Sequence, residues 1–314
     1  MDHGSNVCQK CTRPPVTFIR YSGAHLCQEH FIEYFFKRVK KEIRQQEAFQ
    51  GGGRIAVALS GGKDSLVTLK TLLWVAKEHR GIDIEAVIVD EGIEGYRPKS
   101  MEIARDACRD WGVKLHEITF KEIVELPLDE LVTRVTDINP CALCGVFRRS
   151  GLNEAARRIG AERLATGHNL DDIAQSILMN ILNSDMEKIF RLGPHRKTIP
   201  GLIPRIYPLR SIPEKEVLLF ALLNEVPIHS KECPYSVTAS RGRYRDVLAR
   251  LEMEAPGTKH SLLNFHSTLM ELTAGNRSLG EQRKCEICNE PATSDVCMRC
   301  RYMDQIAKVL EKAR

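Results

Sequence analysis

No apolar run in the 314 residues reaches the 18 or so that a helix needs to cross a bilayer. The opening Met1-Asp2-His3-Gly4-Ser5 has no apolar leader core, so the expectation is a cytoplasmic chain with no membrane partner. A large charge excess is also missing. Forty-six Lys and Arg against 41 Asp and Glu leave +5, which permits a polyanionic partner without demanding one. A Walker A phosphate loop is absent as well: Asp64 follows Gly62-Lys63, and Val57 stands where that motif needs its first glycine. The remaining bulk properties, 43% apolar and 28% charged residues, describe a globular protein with room for one full core and about one further domain.

The strongest local signal is Ile55 to Ser65. Five apolar residues, Ile55 to Leu59, read as a buried parallel strand. Gly61-Gly62 then make a tight turn, and Asp64-Ser65 open a helix whose apolar positions are Leu66, Leu69, Leu72, Leu73 and Ala76. Strand, glycine turn and helix N-terminus converge free N–H groups and the helix dipole on one spot, and Lys63 adds charge, which suits an anion. An ordinary βα turn is the alternative.

Eleven cysteines are many for a reducing compartment, where disulfides do not persist. Their spacing sorts them. Cys8-x2-Cys11 and Cys27-x2-His30 give four tetrahedral ligands with fifteen residues between the pairs, a complete structural zinc set. Cys285, Cys288, Cys297 and Cys300 form CxxC-x8-CxxC, a second full set and a zinc-ribbon pattern. Such a ribbon either docks nucleic acid or protein, or simply staples the end of the chain. Cys108 shares a helical stripe with Ala104, Ala107 and Trp111 and reads as a buried small hydrophobe.

Cys141 and Cys144 are a CxxC with no neighbouring pair to complete it, placed before a helix predicted over Val146 to Ile159. Thiols at a helix start are expected to have a lowered pKa. Their third partner is expected to be Cys233, in Lys231-Glu232-Cys233-Pro234-Tyr235. Three thiols fit three pictures: a [4Fe-4S] cluster with one open iron, a pair cycling through persulfide and disulfide, or structural zinc with an unseen ligand.

Elsewhere, Phe31 to Phe49 reads as a helix, Gly51-Gly52-Gly53 as a hinge, Ile84 to Asp90 as the second strand and Val113 to Ile118 as the third, with His116 on its surface. A short strand ends at Gly167, and Asp171-Asp172 occupy the first turn of a helix over Ile173 to Leu182. Those carboxylates either cap the helix or face a triphosphate and help hold Mg²⁺. Arg191 to Arg210 carries five basic residues (Arg191, Arg196, Lys197, Arg205, Arg210), four prolines and no acid, a stiff cationic connection expected to contact phosphate. Glu214 to Asn224 reads as an amphipathic helix. Ser240-Arg241-Gly242-Arg243-Tyr244-Arg245 interleaves arginines with a tyrosine, which suits RNA.

Ser60-Gly61-Gly62-Lys63-Asp64-Ser65 resembles the pyrophosphate loop of the N-type ATP pyrophosphatases, and Gly167-His168-Asn169-Leu170-Asp171-Asp172 matches a second string of that superfamily. With the two zinc modules, Pro140-Cys141-Ala142-Leu143-Cys144 and Glu232-Cys233-Pro234-Tyr235, nearly the whole chain resembles the TtuA/NcsA family of tRNA 2-thiouridine synthetases. The resemblance implies an α/β fold: a doubly wound, mostly parallel sheet of the adenine nucleotide α-hydrolase type with zinc modules at both termini. It divides the chain into an N-terminal zinc module (1–35), an ATP pyrophosphatase domain (36–215), a helical and basic region carrying the third cluster cysteine (216–280) and a zinc ribbon (281–314).

It further implies that ATP and Mg²⁺ adenylate the 2-oxygen of a tRNA uridine and that sulfur then displaces AMP. Ser60, Gly61, Gly62, Lys63, Asp64 and Ser65 would hold the β,γ-phosphates, with Asp64 near the magnesium. Ala58 and Gly167 would touch the nucleotide, and Asp172 would serve the phosphate side. Relatives also touch adenosine, mostly through backbone, near the position of Asp90. Cys141, Cys144 and Cys233 would hold a [4Fe-4S] cluster, and Arg148, one helical turn beyond, would stabilise charge at the reacting centre. Sulfur would come from a ubiquitin-like thiocarboxylate carrier or from free sulfide, and the protein would be a homodimer. Two other readings stay open: a persulfide-dependent or cytidine-directed thiolase (or an amide-forming ligase), and a non-catalytic zinc-ribbon RNA-binding protein.

Overall fold

A computed structural model describes residues 7–195, 201–229, 231–238, 242–273 and 283–312. Arg196, Lys197, Ser240, Arg241 and Glu281 lie outside the described residues.

The N-terminal unit is an antiparallel hairpin, β1 (Thr17–Ile19) and β2 (Ala24–Leu26), followed by helix α1 (Gln28–Gln45). The helix runs across residues 35 and 36. Its Phe31, Phe35, Phe36 and Val39 share one buried cluster with Cys8, Cys27 and the central sheet, so the small unit's core is continuous with the main one.

The sheet is built from β3 (Gly53–Leu59), helix α2 (Lys63–Ala76), β4 (Ile82–Asp90), helix α3 (Arg97–Asp110) and β5 (Leu115–Thr119). Three helices follow: α4 (Phe120–Val124), α5 (Leu128–Arg134) and α6 (Pro140–Arg158). Then come β6 (Arg163–Ala165), α7 (Leu170–Leu182), α8 (Met186–Arg191), β7 (Arg205–Ile206) and α9 (Glu214–Leu223). The strand order is β5-β4-β3-β6-β7 and every pairing is parallel. Alternation along β3 explains the two layers: Ile55, Val57 and Leu59 join the cluster under α1, α2 and α9, while Ala56 and Ala58 join the one under α4 to α6.

The chain closes with a 3₁₀ turn at Pro234–Thr238, helices α10 (Gly242–Glu254) and α11 (Thr258–Leu272), the short hairpin β8 (Arg283–Lys284) and β9 (Pro291–Ala292), and helix α12 (Met298–Lys312). Among the described residues no helix is long and apolar enough to cross a membrane.

Two expectations need correction. The Arg191 to Arg210 connection is not wholly irregular, because Arg205–Ile206 pairs with β6 as the fifth strand. Asn153 of α6 anchors the strap ahead of it, donating to the Gly201 carbonyl at 2.8 Å and accepting from the Ile203 N–H at 2.9 Å. Helix α6 also starts at Pro140 rather than Val146, so both thiols of the CxxC lie inside its first turns. Asn139 caps it, accepting from the Cys141 N–H at 2.9 Å.

Candidate functional site

The direction in which strands are added reverses at the β3/β6 boundary: β4 and β5 build outward on one side, β6 and β7 on the other, all parallel. Ligands of open α/β sheets bind at the carboxyl ends of the strands flanking such a switch point. Both sequence motifs end there.

After β3, Gly61 takes φ +80°, and a Cβ on it would lie 2.1 Å from the Ser100 carbonyl oxygen, so only glycine fits. Ser65 Oγ sits 3.2 Å from Ser60 Oγ and donates to the Gly62 carbonyl at 2.8 Å, folding the loop back on its helix. From β6, Gly167 packs on the start of α2. A Cβ there would come within 2.8 Å of the Asp64 carbonyl carbon and the Ser65 nitrogen.

Asn169 then caps α7, accepting from the Asp172 N–H at 3.2 Å while the Asp172 carboxylate accepts from the Asn169 N–H. Its side-chain amide donates to Asp64 Oδ1 at 3.1 Å. Lys63 is engaged too, at 3.0 Å from Asp64 and 2.8 Å from Glu214. Burial raises the Asp64 carboxyl above its ordinary range, opposed by Lys63 and Asn169. The cleft therefore offers a cradle of N–H groups, a lysine and two carboxylates. Asp90 is committed otherwise, accepting from the Gly92 N–H at 2.9 Å in its own turn.

On the other side of the loop, Ser60, Val89, Glu91, Arg97, Tyr96, Cys144, Arg148 and Cys233 enclose a cavity of about 80 Å³. Cys144, Arg148 and Leu152 face it from successive turns of α6. Arg148 Nη1 stands 3.8 Å from Glu91 Oε1. Cys141 approaches the same neighbourhood, donating to the Tyr235 carbonyl at 3.2 Å just past Cys233. Cys233 thus joins the Cys141–Cys144 pair beside the glycine loop, although the three sulfurs are not all within 4.8 Å of one another.

A donor set of three thiols, two from one CxxC and one from a separate turn, fits a [4Fe-4S] cluster that keeps one iron open. The expected lowering of the helix-start thiols is overturned at Cys144. Burial pushes its free thiol up to about 12, with Glu91 and the other two thiols adding to the rise and only Arg148 opposing it. Removal from water outweighs the helix dipole there.

Arg97 is the residue that motif reading passed over, and Glu91, placed at the ligand-bearing end of the second strand, had no role assigned to it. Arg97 Nε pairs with Glu91 at 2.5 Å, both nearly fully buried, and Arg97 also donates to the Ser60 carbonyl at 3.0 Å and to the Val89 carbonyl. It ties the ends of β3 and β4 together under the cavity. The available signal was a glutamate at a strand's carboxyl end with an arginine six residues on.

Both terminal ligand sets form. Cys8, Cys11, Cys27 and His30 bring their ligand atoms within 4.8 Å of one another, as do Cys285, Cys288, Cys297 and Cys300. The Cys11–Cys27 and Cys288–Cys297 sulfurs lie 3.7 Å apart, close to the roughly 3.8 Å edge of a tetrahedron with metal–sulfur bonds of about 2.3 Å. Burial works against the Cys8 thiolate, but N–H groups of Cys27 and Lys10 and the His30 ring outweigh it and bring the thiol down to about 6. These are two cysteine-rich metal sites.

A parallel sheet with this glycine loop at its switch point defines a PP-loop nucleotide-binding protein, and residues 31–248 match the PP-loop domain family. Residues 7–32 match the N-terminal LIM domain of 2-thiouridine synthetase TtuA. The chain belongs to the TtuA/NcsA family of tRNA 2-thiolation proteins. It is 38% identical to the tRNA 2-thiolation protein NcsA of Haloferax volcanii, over 96% of this chain and 99% of that one. It is 35% identical to the tRNA-5-methyluridine(54) 2-sulfurtransferase of Pyrococcus horikoshii, over 94% and 93%. Among solved structures it superposes on the U34-tRNA thiolase NcsA of Methanococcus maripaludis, determined with its [4Fe-4S] cluster, with TM-score 0.85, 34% identity and 96% of each chain covered.

Proposed function

We propose that this protein is an ATP-dependent tRNA-uridine 2-sulfurtransferase working in the cytoplasm. The observation that carries the reading is the shared wall: Ser60 of the glycine loop lines the same cavity as Cys144 and Cys233. Activation and sulfur delivery can then act on one carbon.

The loop N–H groups from Ser60 to Ser65 and Lys63 hold the β,γ-phosphates, which requires Lys63 to exchange Glu214 for phosphate. Asp64 and Asp172 would hold a Mg²⁺, which would offset the phosphate charge. Ala58 and Gly167 form the nucleotide's walls. The uridine 2-oxygen attacks the α-phosphorus and pyrophosphate leaves, converting a poor leaving group into AMP. Cys141, Cys144 and Cys233 would hold a [4Fe-4S] cluster, which would supply an iron with an open coordination position for sulfide, whether delivered free or by a thiocarboxylate carrier. Arg148 stabilises charge that develops as sulfur adds and AMP departs, and Glu91 holds Arg148 toward the cavity. Zinc in both terminal sites and a homodimeric assembly complete the proposal, along with the four-part division at residues 35, 215 and 280.

The test is anaerobic incubation of defined tRNA transcripts with protein, ATP, Mg²⁺ and sulfide, followed by nucleoside mass spectrometry. 2-Thiouridine with stoichiometric AMP supports the reading. 2-Thiocytidine, or no pyrophosphate release, overturns it.

A further inference from the structure

Helix α6 borders a second concavity on another of its faces. Cys144, Arg148 and Leu152 line the thiol cavity, whereas Arg149, Asn153 and Arg157, about 100° further round the helix, line a larger cleft of about 290 Å³. The cleft's other walls are Arg191, His195, residues 202–205 and the C-terminal metal hairpin, and five arginines (Arg149, Arg157, Arg191, Arg205, Arg299) meet one glutamate, Glu290.

Three distant segments are fixed against each other there. Asn153 holds the strap on α6 through Gly201 and Ile203. Gly201 takes φ +89° so close to the hairpin that a Cβ would lie 2.8 Å from Pro291 Cδ. Arg157 spans to the hairpin, 2.6 Å from Glu290, and is also 2.6 Å from Glu154. That arginine is consumed by the scaffold. Arg205 and Arg299 have no carboxylate partner among the described residues. A divalent metal on four thiolates at the rim is formally dianionic, yet it leaves the wall cationic overall.

We propose that this cleft binds the sugar-phosphate backbone of the tRNA, with Arg205 and Arg299 each contacting phosphate, so that α6 holds the RNA body on one face and presents the sulfur chemistry on the other. The inference rests on the tRNA reading above. Planar guanidinium forks suit phosphodiester oxygens, and contacts to phosphate fix register without reading sequence.

The test measures tRNA affinity by fluorescence anisotropy across a salt series, using full-length, metal-replete protein kept anaerobic. The variants are Arg205→Gln with Arg299→Gln, Arg299→Gln alone in case the pair fails to fold, and Arg80→Gln as an exposed arginine outside the cleft. Neutralising the pair is expected to flatten the slope of log affinity against log salt by about two, one per lost contact, with equal fold-loss on cognate and non-cognate tRNA. Arg299→Gln alone is expected to flatten it by about one, and ATP affinity and iron content stay at wild-type levels. An unchanged slope, or the same change from Arg80→Gln, overturns the proposal while leaving the thiolase reading intact. A wild-type protein that binds no tRNA overturns both.

Discussion

The side-chain amide of Asn169 donates to the carboxylate of Asp64 at 3.1 Å, joining two motifs 105 residues apart. The same side chain caps α7 through its oxygen. One residue therefore sets the angle between the phosphate loop and the acidic helix start.

Two substitutions separate those jobs. Asn169→Ala removes cap and tie together and is expected to cost about 1 kcal/mol of stability as well as ATP affinity. Asn169→Asp keeps a capping oxygen but sets a second carboxylate against Asp64, so thermal unfolding should change little while Mg·ATP affinity falls. Isothermal titration beside a melting curve distinguishes the two.

Gly61→Ala should abolish nucleotide binding. The left-handed backbone alone costs about 1–2 kcal/mol for an L side chain, and the overlap with the Ser100 carbonyl adds to it. Retained ATP affinity in a folded variant would mean the loop relaxes freely, which its contacts argue against.

Arg97 and Glu91 form a buried pair, so breaking one side strands the other charge. Arg97→Met is expected to destabilise the fold by about 3–5 kcal/mol, and Arg97→Met combined with Glu91→Gln by clearly less. Chemical denaturation of the two variants is the measurement.

His260 gives a pH dependence. Burial, and next Arg38, press its folded pKa down to about 4, against favourable contributions from the Ser211 carbonyl, Glu252 and Asp171. Tyr21 packs against its ring at a 45° tilt, and Glu216 faces the same cluster through Arg38 and Tyr21. The unfolded chain takes up the proton first as pH falls below about 6.5, so this contribution to stability is full above that value and declines toward pH 4. His260→Gln should flatten the wild-type curve over that window. Parallel curves for the two proteins would contradict the assignment.

Metal analysis checks the terminal sites. Two tetrads predict two zinc equivalents per chain, falling to one in Cys11→Ser and to one in Cys288→Ser. Because Cys8 and Cys27 belong to the main buried cluster, loss of the N-terminal metal should lower the melting temperature of the whole domain. Loss of the other should lower it as well, because α12, which carries Cys300, buries Ile306 in the cluster under α4 to α6.

Much of this was legible in the sequence, for a physical reason. Metal sets and phosphate loops are local: their residue types and spacings are fixed by the ion or the turn, so Cys8 to His30 and Ser60 to Ser65 are readable without a fold. Strand β7 was hidden because two residues carry no periodicity, and parallel pairing to β6 is non-local. The Cys144 thiol was misjudged because burial is set by Cys233 and Tyr96 arriving from elsewhere, not by its helix position. Arg97 was missed for the same reason. Its partners, Ser60, Val89 and Glu91, lie on two strand ends that only the folded sheet brings together.

The decisive measurement is iron content and visible absorbance of anaerobically purified protein, taken alongside its thiolation activity. A brown protein with about four irons per chain is expected. Cys141→Ser, Cys144→Ser or Cys233→Ser should each lose colour, iron and thiolation while keeping ATP affinity. A colourless, iron-free protein that thiolates tRNA at full rate would contradict the account.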